Sequence, residues 1–264
     1  MIGRGRGSKR ATANSGRRHR AGILFAGMVV LVVAGACGWE TWATARAEHE
    51  LLTLLVRALG AERAKLIQEE GEVIEGYFDV VPDLPGRERV LAVSLPPDRG
   101  WVLVGPAGGA AGASREAWTS EELARVRRVE AVQVVQDPAV ELAVSEEYDA
   151  RVGALSFVRQ IRLLKWDGKG LRTIWKRTVW EETYSPDPPY QRRLTREAQV
   201  NWGTGVKGDR GEAGGEREVI RVEEIQREYR RRDESVQYDL ERETSSGERY
   251  SWSPEEFRFA RSDP

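Results

Sequence analysis

The spacing of apolar residues divides the chain into stretches of different period. Residues 21–38 (AGILFAGMVVLVVAGACG) carry no charge. As a helix rising 1.5 Å per residue they span about 27 Å, close to the hydrocarbon thickness of a bilayer. Further on, Leu51, Leu52, Leu55, Leu59, Ala61, Leu66 and Ile67 recur at three- and four-residue steps, with Arg57, Glu62, Arg63 and Lys65 between them. That period predicts an amphipathic helix over 43–71. Gly60 weakens it, since glycine costs a helix interior about 1 kcal/mol against alanine, and Gly71 is placed to cap its C-terminus. The helix is either a stalk that self-associates through 43–70 or a helix packed on the body.

From Glu72 the period falls to two. Runs such as Arg89–Val93, Trp101–Val104, Val140–Val144, Arg217–Val222 and Ser251–Phe259 are separated by Pro, Gly and Asp clusters, which is the signature of antiparallel strands. The glycine-rich segments 105–117 and 203–215 read as loops. The second places Gly205, Gly208, Gly211 and Gly214 three residues apart, but three triplets without proline cannot hold a collagen helix. The expected architecture is therefore mainly β. A transmembrane helix and a helical stalk precede an antiparallel β-meander over 72–264.

Within that body the sequence echoes itself. VVPDLPGRERVLAVS (80–94) aligns with VVQDPAVELAVS (134–145) across a three-residue gap. RLLKWDGKGLR (162–172) aligns with ERYSWSPEEFR (248–258), each placing a tryptophan before a turn and an apolar residue five positions later. The order Val-x-Asp, turn, apolar strand, Trp-turn hairpin resembles the degenerate repeats of integrin-alpha-type (FG-GAP or VCBS-like) β-propellers, which bacterial extracytoplasmic proteins carry. The resemblance spans roughly residues 73–259 in two or three diverged units. It implies a partial propeller, with a sandwich-like sheet as the alternative. The family's calcium loop alternates carboxylates, whereas the matching turns here read Asp83-Leu84-Pro85-Gly86 and Asp137-Pro138-Ala139, so no calcium is expected at them.

Charge fixes an orientation. Residues 1–20 carry seven Lys and Arg and no acid, although the whole chain has a net charge of −1. This basic, apolar-poor segment reads as a disordered tail. Arg17, Arg18 and Arg20 precede the apolar run and Trp39 and Trp42 follow it. Positive residues stay on the cytoplasmic side and tryptophan favours the headgroup layer, so residues 21–42 read as a single-pass anchor in the lipid bilayer, N-terminus inside and body outside the cell membrane. Two alternatives share this stretch. Ala34-Gly35-Ala36-Cys37 resembles a lipobox in which Cys37 is lipidated, and Ala34-x-Ala36 also fits a cleaved signal.

The body is mildly acidic, which disfavours nucleic acid as a partner. Residues 71–264 contain neither histidine nor cysteine, which removes Ser-His-Asp and Cys-His catalysis and His- or Cys-ligated zinc. No cofactor, metal site or catalytic residue is expected. Carboxylate chemistry is what remains for an enzyme. Glu146, Glu147 and Asp149 form the densest acidic group with Tyr148, and Glu181-Glu182 is a second. They read either as a solvated strand edge or as a glycan-cutting pair. Trp175 and Trp180 are candidates for sugar stacking or for core. Their odd spacing places them on opposite faces of a regular strand. The composite expectation is an envelope binding or assembly module with a protein or glycan partner, the alternative being a carboxylate-dependent cell-wall glycan hydrolase.

Overall fold

A computed structural model describes residues 39–106, 117–152, 154–187, 190–204, 218–232 and 237–262. The chain divides into two compact units, Met1–Thr44 and Ala45–Pro264. The tail 1–20, the apolar run 21–38 with Cys37, and most of the two glycine-rich loops lie outside the described residues. Among the described residues no helix is long and apolar enough to cross a membrane.

The amphipathic segment forms two helices, α1 (Trp39–Leu59) and α2 (Ala61–Glu70). Gly60 lies between them at φ 87°, a left-handed conformation that glycine adopts without strain, so the weak point is a full break. Gly71 closes α2, its N–H donating to the Ile67 carbonyl at 2.9 Å. Leu55, Ala64 and Ile67 are buried against Leu91, Val93, Trp101 and Leu103. The apolar stripe of the helices is thus spent on the body, leaving Val56 and Leu66 exposed.

The body holds two open antiparallel sheets, each a meander in which sequence neighbours pair. The first contains β1 (Glu72–Phe78), β2 (Glu88–Leu95), β3 (Arg99–Gly105) and β4 (Trp118–Thr119). The second contains β5 (Arg125–Val132), β6 (Glu141–Val152), β7 (Ala154–Trp166), β8 (Leu171–Asp187), β9 (Tyr190–Thr204), β10 (Glu218–Arg232), β11 (Asp239–Ser253) and β12 (Arg258–Ser262). The first sheet is a middle layer. Leu91 and Val93 face the helices, while Val90 and Ala92 face Val126, Leu142, Val144 and Leu164 of the second sheet. Burial on both faces accounts for the unbroken apolar run Val90–Val93.

The first echo in the sequence is a shared device. The Glu88 carboxylate accepts the Val80 and Val81 amides at 2.7 and 3.1 Å. Glu141 accepts the Val134 and Val135 amides at 2.8 and 3.2 Å. Each Val-Val pair enters a core, so its amides would be buried without partners unless the next strand supplied an acceptor. The second echo is a pair of hairpin turns, β7–β8 and β11–β12, stacked on Trp118 and on Phe257 respectively through Trp166 and Trp252. These units are joined within continuous sheets.

Beyond this core the strands run on. No described residue of 191–197, 223–231 or 239–247 is buried or packed on the second core, so these outer parts of β9, β10 and β11 form a single layer of sheet. Such a layer has no apolar side to hold it. Cross-strand pairs take that role: Arg193 binds Glu182 at 2.6 Å, Arg227 binds Glu243 at 2.7 Å, and Arg230 binds Glu241 at 3.2 Å. The Arg193 guanidinium also stacks on Tyr229 at 5.3 Å.

Candidate functional site

The structure separates the acidic group by the period of two. Glu146 points from β6 between the two sheets and is fully buried. Its oxygens accept the Ala124 amide at 2.7 Å, and Gln160 and Arg162 at 2.8 Å each. Saturated in this way, it ties β6 and β7 to the segment that leads into β5 and faces no solvent. Glu147 turns to the other face, where Arg127 reaches it at 2.6 Å and Arg159 at 2.7 Å. Arg127 is the extra residue of a bulge in β5, between Val126 and Arg128, which aims its guanidinium across the strand.

Glu147 and Asp149 share an open groove with Asp98, Arg125, Arg127 and Phe157. The Asp149 amide donates to Asp98 at 3.5 Å. Phe157 meets Trp180 edge to face at 5.1 Å, so Trp180 adjoins this groove. Register puts Glu147, Arg159 and Trp180 in one row and Asp149, Phe157 and Glu182 in the next. Three of the five candidate residues therefore occupy one face in neighbouring rows.

Trp175 shares that face but belongs to the core. β8 carries bulges opposite Arg159/Gln160 and Leu163/Leu164, so Val179 is inserted between Trp175 and Trp180. The odd spacing becomes an even one, and the two rings lie on the same face, correcting the expectation of opposite faces. β8 pairs with β9 only over Trp180–Asp187. Its first half takes Trp175 into a second core with Leu163, Ile220, Val222 and Phe259. There the ring lies 5.5 Å from Trp202 and 5.7 Å from Tyr250, edge to face.

The electrostatics of the groove are those of closed ion pairs. Burial pushes the Glu147 carboxyl up, but hydrogen bonds and charge from Arg127 and Arg159 outweigh it and hold its pKa below the ordinary value. At Glu72 the hydrogen bond from Arg125 dominates and again lowers the pKa. In the second core, burial of Glu248 is outweighed by Tyr250, Arg177 and Arg261. Every described carboxyl with a resolved shift moves downward: Glu72, Glu75, Glu121, Glu122, Glu147 and Glu248. None of these six is poised as a general acid, which needs a raised pKa. Among the described residues no three His, Cys, Asp or Glu converge to hold a metal ion.

Depressed carboxyls set the sign of the pH dependence. The unfolded chain titrates near pH 4.3 and the folded carboxyls below it, so their stabilisation is complete above that value and is lost as pH falls through the folded pKa values. Urea midpoints are expected to be flat from pH 7 to 5 and to drop steadily below pH 4.5. A midpoint that rises on acidification would contradict this.

Sequence reasoning missed Lys165. Its ammonium, buried to 3% side-chain exposure, binds Glu141 at 2.6 Å and Asp137 at 2.8 Å. The signal was present in the Val-Val-x-Asp echo, but the lysine meets it from the adjacent strand, one position beyond the Leu142–Leu164 pair, and only register reveals that. No protein-family model, no curated protein and no solved structure matches this chain.

Proposed function

We propose that the chain is a membrane-anchored, extracytoplasmic binding or assembly module of the cell envelope that performs no covalent chemistry. The observation that supports this is the single-layer outer part of β9–β11. Its faces are wide and open, and its charges are engaged in cross-strand pairs. Surfaces of that kind recognise partners by area and by strand edges. Reaction sites, in contrast, are concave and carry perturbed titratable groups. Attachment rests on the uncharged run 21–38 and its asymmetric flanks. The groove bearing Glu147, Asp149 and Phe157, with Trp180 beside it, is a binding surface in this reading.

The test uses the full chain with a C-terminal epitope. Protease added to spheroplasts is expected to remove the epitope, while the N-terminal remnant stays in the membrane pellet after alkaline washing. The same membranes should release no soluble fragments from isolated cell wall. An epitope protected until lysis would overturn the topology. Fragment release by the natural chain, abolished by Glu147→Gln, would overturn the non-enzymatic reading in favour of a glycan hydrolase.

A further inference from the structure

β11 pairs with β10 along Asp239–Ser251, but β12 covers its other side only from Arg249 to Ser253. Among the described residues nothing pairs with the outer side of residues 239–248. Ten residues of strand, about 33 Å, thus turn to that side backbone donors and acceptors that no described strand pairs. Natural sheets guard such an edge with charge, lysine above all, with proline or with bulges. This stretch has no lysine and no proline, although Asp239, Glu241, Arg242, Glu243 and Glu248 are charged and Glu241 is bulged. Its carboxylates Glu241 and Glu243 are already held by Arg230 and Arg227 of the neighbouring strand.

Two residues on this edge are not accounted for by contacts among the described residues. Leu240 is the most exposed large apolar side chain of the described residues, at 53%. Gly247 sits mid-strand, where glycine weakens a sheet. A Cβ placed on it would meet nothing closer than the Val222 carbonyl at 4.0 Å, and its φ is not in the left-handed region. Gly247, Ser245 and Ser246 instead floor a shallow trough. Register places Gly247, Ser245 and Glu243 opposite Glu223, Ile225 and Arg227, and Leu240 opposite Tyr229 after a bulge at Glu241. Leu240 and Gly247 therefore lie on the same face.

We infer that the occupant of this edge is a second copy of the chain, paired antiparallel about a two-fold axis at Thr244. In that register Thr244 faces Thr244 of the other copy, Glu243 faces Ser245, and Arg242 faces Ser246. With Glu241 left as the bulge, Leu240 of each copy lies over Gly247 of the other. The two features left unexplained in the monomer answer one another, twice. Like charges meet only at the ends, where Asp239 faces Glu248, and that carboxylate is already bound by Arg177 and Arg261. The pairing is isologous and closes on itself, so it yields dimers and no fibres. It deepens the assembly reading and rests on it only for biological purpose.

Native mass spectrometry of the full chain released from detergent should give twice 29.7 kDa. The pair Leu240→Lys and Gly247→Lys should reduce this to one chain without changing the circular dichroism below the transition, and should remove the concentration dependence of the thermal midpoint that a dimer shows. The pair Val56→Lys and Leu66→Lys on the helices should leave the dimer intact. Thr244→Cys should form a disulfide-linked dimer under mild oxidation, while Lys169→Cys in the exposed β7–β8 turn should not. A monomeric natural chain, or a dimer indifferent to the lysines on β11, would overturn the pairing. An extended peptide from another protein as the true occupant would show as a monomer whose β11 amides become protected only when that peptide is added. A monomer that still passes the topology and wall-release tests would leave the proposed function standing.

Discussion

Replacing Lys165 with methionine is expected to destabilise the fold by about 3–5 kcal/mol, because it leaves a buried carboxylate without its cation. Glu141 has no exposed surface and its other oxygen is committed to two backbone amides. Asp137, the second partner of Lys165, is 37% exposed and can rehydrate, so Asp137→Asn should cost far less. Removing both members of the pair, as Lys165→Met with Glu141→Gln, should recover part of the loss, since a neutral amide can still accept the Val134 and Val135 amides while no charge is stranded. Equilibrium urea unfolding reads all three variants. A Lys165→Met change below about 1 kcal/mol would mean that water reaches Glu141, contrary to its burial.

The second large effect is expected at Trp175. Substitution by alanine should cost about 3–5 kcal/mol, as for other large aromatic truncations in a packed core. The Trp175 ring fills the space between the first half of β8 and the strands β9–β11, against Trp202 and Tyr250. Its indole nitrogen is buried without a hydrogen-bond partner, so Trp175→Phe loses volume but no hydrogen bond and should retain most of the stability. Trp180→Ala should cost no more than about 2 kcal/mol, because that ring is half-buried and leans chiefly on Phe157. The same three proteins separate core from binding roles. If Trp180 is part of a recognition surface, its alanine variant should lose wall or partner binding while the melting temperature barely moves.

How far the sequence could be read depended on burial. The period of three to four in 51–67 and the apolar run at 90–93 were legible because each belongs to a core. The outer halves of β10 and β11 were not. Residues 223–231 and 239–248 carry charges on both faces, since neither face is buried, and so the alternation that identifies a strand is missing. Arg217–Val222 was recognisable as a strand because Val219, Ile220 and Val222 are buried. Its continuation to Arg232 depends on cross-strand partners that only register reveals. The acidic group failed for a related reason. Adjacent glutamates look like one cluster in sequence, but the pleat sends Glu146 and Glu147 to opposite faces, and bulges at Arg127 and Val179 then re-aim their neighbours. Bulges leave no signature in composition, so the facing of Trp175 and Trp180 was out of reach.

The Glu88 and Glu141 caps carry an implication for how this chain can change over time. In each, one side chain reaches back to a pair of amides, across seven or eight residues in the first case and six or seven in the second. The two intervening segments differ in what else they hold. Residues 136–140 carry Asp137, which binds Lys165, and the buried Ala139, so that turn is tied to the core a second time. In the first segment Leu84 packs on the core while Pro85, Gly86 and Arg87 are exposed, and residues 85–87 are accordingly the place where this body would accept inserted sequence more readily.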